Sequence, residues 1–421
     1  MGLADSKPGL IAISYCYPPL PFPRSTQVAR LFEYLDLDAL LVCGAEGLEH
    51  AEVSRGRVNL VRIPYRAPVF SRITNRILQP DPYLNWSWAA KKWLDHSVSC
   101  MSARTLITCG QPMSDHLVGL AMKRRFPHLR WISHFSDPWA QSSYRADFPP
   151  FRLINERLER KVVEASDLVI FTSDETLDFV MSGYPDSWRT KARVLPHAFD
   201  RELYPAITKS RPASSVPILR HLGNFYDHRN PVSFLKAIAG SLGQAKLSFR
   251  IELIGSMSCE IKRAIDALRL PEEFVRVLSP VSYEESLKLM RSADGLIVID
   301  APDEQNVFFP SKLVDYLGAE KPILAITPPG TSERIVRDAG GWCIRPGSPS
   351  EMSAGFFKAL RELQNGFSLT AAQLAFRNPF EARQVAATLR QWIESPTVFP
   401  PHPIAPTAFK ITGAACGRNQ R

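Results

Sequence analysis

Short apolar runs rich in valine, isoleucine and leucine alternate with helix-period segments twice along this chain, and the alternation lapses once between the two series. An apolar run of this kind reads as a strand buried on both faces, and a 3.6-residue period reads as an amphipathic helix. Strand–helix alternation demands crossover connections, so the strands lie parallel with helices on both faces. The first series predicts strands at Leu10–Tyr15, Ala39–Cys43, Val58–Ile63, Thr105–Cys109, Arg130–His134, Asp167–Thr172 and Arg193–Leu195. Helices fall between them at Arg24–Leu35, Asn85–Met101, Met113–Phe126, Phe151–Glu164 and Glu175–Met181. The second series predicts strands at Ile218–Leu222, Phe249–Ile254, Val275–Leu278, Gly295–Ile299, Ile323–Ile326 and Trp342–Ile344. Its helices include Val232–Leu242, Glu260–Leu268 and Tyr283–Arg291. The expected fold is α/β, with two doubly wound parallel sheets. Such sheets bind ligands at the carboxyl ends of their strands, so two facing sheets place binding in the cleft between them.

The lapse sets the domain limits. A first domain is expected over 1–200 and a connection over 201–216, where Pro205, Lys209, Arg211 and Pro212 stand. A second domain follows over 217–378. A helix at 379–395 is expected to return to the first domain, and the proline-rich tail at 396–421 is expected to be disordered. The 421 residues suffice for two cores.

The formal net charge is +9, which favours an anionic partner: a phosphorylated ligand, a membrane surface or a nucleic acid. No nucleic-acid recognition motif occurs, so no nucleic-acid partner is expected. Cysteines number seven, none at zinc or redox spacing, which points to a reducing, cytoplasmic setting without a metal centre. No apolar run reaches the ~18 residues a membrane span needs. Between Arg62 and Leu94, however, Arg66, Arg72, Arg76, Lys91 and Lys92 interleave with Phe70, Tyr83, Trp86, Trp88 and Trp93. Peripheral contact with the anionic inner face of the plasma membrane suits that pattern, with Lys123-Arg124-Arg125 adding to it. Half-buried aromatics on helices with solvated basic faces suit it equally.

The chemistry concentrates at strand ends. Gly295–Asp300 reads as a buried strand ending in an acid, a polar loop follows, and Pro310-Ser311 opens a helix with serine as its cap. The free N–H groups of such a helix make an anion site that fits a diphosphate. Lys312 and Asp315 share a face of it, while Leu313, Val314 and Leu317 point to the core. By itself this is also a solvated Lys–Asp pair worth ~0.3 kcal/mol. After the first strand of the second series, Gly223 allows close backbone approach to phosphate and Arg229 can bind it bidentately. Asp137 sits in Asp-Pro-Trp at another strand end, with His134 and Trp139 beside it.

Asp315, Gly318-Ala319 and Lys321-Pro322 resemble the donor signature of the family-4 glycosyltransferases, whose architecture is GT-B: two Rossmann-like domains facing a cleft. The resemblance implies that Asp315 contacts the donor ribose and that Ser311 and Lys312 lie by the diphosphate. Where the family has a glutamate eight residues earlier, Val307 stands here, and Glu304 or Asn306 is left to supply that contact. Asn224 replaces the usual arginine beside Gly223, and Arg229 occupies the later basic position. The first loop, Tyr17–Ser25, is proline-rich instead of glycine-rich, with Arg24 and Ser25 at its cleft end. Glu164–Ser173 and Leu195–Asp200 are further points of resemblance. The implied activity is sugar transfer from a nucleotide sugar to an acceptor hydroxyl, with retention and with no cofactor or metal. Polysaccharide or lipid-linked acceptors are implied, and Asp137, Arg229 and Lys312 would carry the chemistry. Two other readings stand beside it: a nucleotide-sugar epimerase of the same architecture, and a non-catalytic binding protein at a membrane assembly. A nicotinamide dehydrogenase is disfavoured, because prolines replace the Gly-x-Gly-x-x-Gly turn after the first strand.

Overall fold

The computed structural model describes residues 9–46, 51–65, 79–97, 103–141, 149–206, 216–225, 229–242 and 248–395. The tail at 396–421, most of the 201–216 connection, and Arg66, Phe70, Arg72 and Arg76 of the basic stretch lie outside these residues.

In chain order, the first-half strands are β1 (Leu10–Ser14), β2 (Ala39–Glu46), β3 (Ala51–Arg55), β4 (Val58–Tyr65), β5 (Thr105–Cys109), β6 (Arg130–His134), β7 (Leu168–Phe171) and β8 (Ala192–Val194). They form one sheet in the order β3-β4-β2-β1-β5-β6-β7-β8. The second half supplies β9 (Ile218–Leu222), β10 (Arg250–Ile254), β11 (Val275–Leu278), β12 (Gly295–Ile299), β13 (Ile323–Ile326) and β14 (Trp342–Ile344), in the order β11-β10-β9-β12-β13-β14. All described pairings are parallel except one. β3 runs antiparallel to β4, a hairpin at the sheet edge that the sequence pattern did not signal. Its residues after Ala51 are exposed, so it carries no apolar run.

Period-two alternation gives each sheet two apolar faces. Ile11 and Ile13 pack with Trp86 and Trp131 on one side of the first sheet, whereas Leu10 and Ala12 pack with Leu31 and Ile132 on the other. In the second sheet, Ile251, Ile297 and Phe356 share one face, and Leu296, Leu313 and Leu317 share the opposite one. Each sheet reverses its winding at one strand: β1 lies between β2 and β5, and β9 lies between β10 and β12. A crevice opens outside the carboxyl end of each such strand.

The two halves are tied at several places. Val385, Ala386 and Leu389 of the helix Ala382–Glu394 are buried in the first sheet's core beside Leu31 and Phe32. The Glu175 carboxylate accepts from Arg334 at 2.6 and 2.9 Å and from Thr331 Oγ1 at 3.1 Å. Within the second half, Arg377, 1% exposed, donates to the main-chain oxygens of Leu317 (3.3 Å), Lys321 (3.0 Å) and Ala339 (2.8 Å). It thereby closes the carboxyl ends of the helices Ser311–Gly318 and Thr331–Asp338. Leaving buried acceptors unpaired costs about 1–3 kcal/mol each. Arg377→Met is therefore expected to destabilise by about 3 kcal/mol or more. Urea unfolding checks this, and an unchanged midpoint would contradict it.

Of the aromatics in the basic stretch, Trp86 is buried with its indole donating to Ile63 O at 3.2 Å. Trp88 is 59% exposed. Lys91 is paired with Asp95, and Lys123 with Asp167 at 2.7 Å. No helix among the described residues is long and apolar enough to cross a membrane.

Candidate functional site

Three adjoining chambers run between the sheets. The first, about 550 Å³, lies over Gly223, Asn224, Arg229, Ser311, Lys312 and Asp315. The second, about 390 Å³, shares Gln27, Arg229 and Ser311 with the first and reaches Asp137 and His197. The third, about 410 Å³, shares Arg24, Gln111, Asp137 and Phe308 with the second.

The first chamber is built on the helix Ser311–Gly318. Pro310 is its cap and Ser311 its first residue, which corrects the expectation of a serine cap. Proline's fixed φ suits a helix entrance. The opening N–H groups have no partner within the helix and carry the positive end of its dipole. Lys312 Nζ lies 3.1 Å from His221 Nε2. His221 in turn holds Ile297 O through Nδ1 at 3.0 Å and stacks on Phe225. A carbonyl can only accept, so Nδ1 carries the proton and Nε2 offers its lone pair to Lys312. Burial and the nearby Arg229 charge push the Lys312 ammonium down to about 7. Arg229 Nη2 stands 3.5 Å from Asp300 Oδ1, at the end of β12.

Gly223 has φ +131°, and a Cβ there would stand 3.0 Å from Lys312 Nζ. A non-glycine residue in that region costs about 1–3 kcal/mol. Gly223→Ala is expected to displace Lys312 and lower stability by about 1–3 kcal/mol. Urea unfolding reads this directly, and an unchanged midpoint would contradict it.

Asp315 is not paired with Lys312. Its Oδ1 lies 2.9 Å from Arg30 Nη2 and accepts from the Tyr283 hydroxyl at 3.1 Å. Arg30 comes from the helix Pro23–Glu33 of the first half. Arg30 also donates to Ala198 O at 2.6 Å, while Gln27, one turn earlier, accepts from Ala198 N at 3.0 Å. Burial raises the Asp315 pKa, and the Arg30 charge opposes that rise.

On the facing wall, Asp137 accepts from the Gln111 amide. Burial pushes its carboxyl up to about 6 against the opposing charges of Arg24 and Arg229. Arg24 donates through Nε to Gly110 O at 3.1 Å and meets His134 Nδ1 at 3.3 Å. Burial holds His134 and His197 well below the usual imidazole range, so both are neutral at pH 7.

Among solved structures, sucrose-phosphate synthase from Thermosynechococcus elongatus is 14% identical at a TM-score of 0.70, covering 91% of this chain and 98% of that one. HepE of Anabaena, in complex with UDP and glucose, is 15% identical at a TM-score of 0.63, covering 92% and 100%. A trehalose-6-phosphate synthase structure is 12% identical at a TM-score of 0.66, covering 93% and 100%. The fold is GT-B. No family profile matches the sequence, and no curated protein matches it either. The family-4 resemblance therefore remains a likeness of motifs within a GT-B fold.

On this GT-B frame, Gly223, Asn224, Arg229, Ser311, Lys312 and Asp315 stand together in one chamber, with Arg24 and Asp137 across the cleft. Other expected residues stand elsewhere. Asn306 is 3% exposed, and its amide is spent on Asp300 Oδ2 (2.7 Å), Ser332 Oγ (3.1 Å) and the N–H of Phe308 (3.0 Å). It holds the loop and faces away from the first chamber. Glu304 is exposed and lines none of the three chambers. Neither lines a chamber, and the Val307 carbonyl accepts from Ser173 and Thr176 of the first half. Ser25 is 1% exposed and His134 5%, and neither lines a chamber. Trp139 lines the third chamber with its indole committed to Asn155 Oδ1 at 2.9 Å. Asn224 Oδ1 accepts from Ser256 N at 3.0 Å.

Sequence reasoning missed Arg30, Tyr283, His221 and Gln111. Arg30 offered one signal: a long cation three residues after Gln27 on a helix whose stripe is apolar. His221, a polar residue inside a five-residue buried strand, offered another.

Proposed function

We propose that the chain transfers a sugar from a nucleotide sugar to an acceptor hydroxyl. The observation that carries this reading is the convergence of Lys312, Arg229 and the amino end of Ser311–Gly318 on one chamber, with Asp137 facing them. Departure of a nucleoside diphosphate gathers negative charge. Two cations and a helix amino end, fixed before the reaction, stabilise that charge without reorganisation. In our reading these groups act without a metal. Asp315 accepts from the ribose, its charge sustained by Arg30. Asp137 accepts from the hydroxyl that attacks. UDP as the nucleotide finds support in the HepE complex with UDP and glucose. Retention finds support in the trehalose-6-phosphate synthase neighbour, described as transferring with retention. The third chamber favours transfer over epimerisation, which needs no acceptor space. Donors feeding polysaccharide or glycolipid synthesis fit the same reading.

A thermal-shift panel of UDP, GDP, ADP and their sugars tests the donor half. A ligand at about 100 times its Kd adds about 2.7 kcal/mol of stability. One nucleotide is expected to stand out, and silence across the panel would overturn the proposal.

A further inference from the structure

The third chamber differs in chemistry from the first. Phe22, Tyr83, Met113, Trp139 and Phe308 form its walls. Tyr83 belongs to an aromatic group with Tyr15 and Phe22, at centroid distances of 4.2 and 6.4 Å. Its charged side chains are Arg24, Asp81 and Asp137, and no lysine is among its described lining. Asp81 already accepts from the backbone N–H groups of Tyr83 (3.0 Å) and Ser114 (2.8 Å). Arg24 is directed to Gly110 O and His134, and its charge acts on Asp137. The imidazoles packed behind this wall, His116 and His134, are neutral through burial. Two carboxylates thus face one already engaged guanidinium. Three helices open at this lining, but Pro23–Glu33 begins with a proline that has no N–H, and at Leu84–His96 and Ser114–Arg125 the N–H groups of Tyr83 and Ser114 are already held by Asp81. A phosphoryl group thus meets capped amino ends and a net negative charge among the described lining residues. Aromatic faces, in contrast, suit the C–H face of a sugar ring or an apolar aglycone.

Resting on the transfer reading above, we propose that the acceptor is an uncharged hydroxyl compound with an apolar face, of the class of alkyl or aryl glycosides, and that phosphorylated sugars are excluded. The hydroxyl lies at Asp137, and the apolar part occupies the chamber between Phe22, Tyr83 and Phe308. No group transfer beyond the proposed glycosyl step is involved.

The test is calorimetric and uses the full chain, first loaded with the nucleoside diphosphate that binds best in the panel. Binding of that nucleotide reports on the donor reading by itself. The loaded protein is then titrated with octyl glycosides of glucose, galactose, mannose and N-acetylglucosamine, each below its micelle concentration. The corresponding sugar 6-phosphates are titrated in parallel. The expected result is that at least one octyl glycoside binds ten or more times tighter than its 6-phosphate counterpart. Tyr83→Ala and, separately, Phe308→Leu are each expected to weaken that glycoside several-fold with nucleotide affinity unchanged. A 6-phosphate that binds as tightly as the glycosides overturns the proposal. So does a nucleotide-loaded protein that binds none of the glycosides.

Discussion

Replacing Lys312 with alanine is expected to lower kcat/KM for sugar transfer by roughly 10²–10³-fold, the usual effect of removing one preorganised charge donor. The folded protein should be no less stable for the change. Both expectations follow from the same surroundings. His221, Arg229 and the cleft wall leave the ammonium poorly solvated, and its pKa falls to about 7. A diphosphate placed against it restores the charge. Nucleotide binding above pH 7 therefore takes up a proton, and affinity falls as pH rises, by up to tenfold per unit. The sign for stability is opposite. Between about pH 7 and 10 the unfolded chain holds a proton that the folded one does not, so Lys312 makes stability rise with pH across that window. The alanine variant loses both slopes. Calorimetry of nucleotide binding at pH 6.5, 7.5 and 8.5 separates the cases. A parent affinity that is flat across this range would show that Lys312 does not touch the phosphates.

The sequence exposed some of this site and hid the rest, for identifiable reasons. Buried parallel strands are apolar on both faces, so β1, β5 and β12 announce themselves as runs, and the residues after them can be placed at a cleft by topology alone. That is how Gly223, Arg229, Lys312 and Asp137 could be grouped. The edge strand β3 had no such signature, because its side chains face water. Direction was a second loss. Asn306 is polar and close to the cleft in sequence, but its amide is turned inward onto Asp300. Nothing in a one-dimensional pattern distinguishes that from a ligand contact. Long-range pairing was a third. The sequence puts Asp315 beside Lys312 on one helical face, whereas the structure gives Asp315 to Arg30 of the other half and Lys312 to His221. The resulting division is physically useful. In the first chamber Asp315 is paired with Arg30 and Arg229 with Asp300, while Lys312 meets the neutral His221, so Lys312 and Asp315 do not neutralise each other before a ligand arrives.

Arg30 links the chamber to the domain arrangement, and Asp137 links it to the acceptor. Asp137→Asn is expected to reduce kcat by about 10²–10⁴-fold, the span of a lost acid–base group, with nucleotide affinity within a few-fold of the parent. Asparagine keeps the shape and removes the proton acceptor. The parent carboxyl, pushed up to about 6 by burial, must be ionised to accept from an attacking hydroxyl. The rate therefore climbs as pH rises through 6, and Lys312 imposes a fall above about 7. A kcat/KM profile with a narrow maximum between those values is the expected signature, and the asparagine variant should lose the acidic limb alone. Stability supplies an independent check. The folded pKa of Asp137 lies above its unfolded value, so between about pH 4 and 6 the folded state holds the extra proton. Stability falls as pH rises through that window, and above pH 6 the buried charge is a standing cost that asparagine removes. At pH 7.5 the variant should melt no earlier than the parent while turning over far more slowly. A variant with parental kcat would remove Asp137 from the chemistry, and a variant that loses activity only through early unfolding would make it a structural residue of the β6 end.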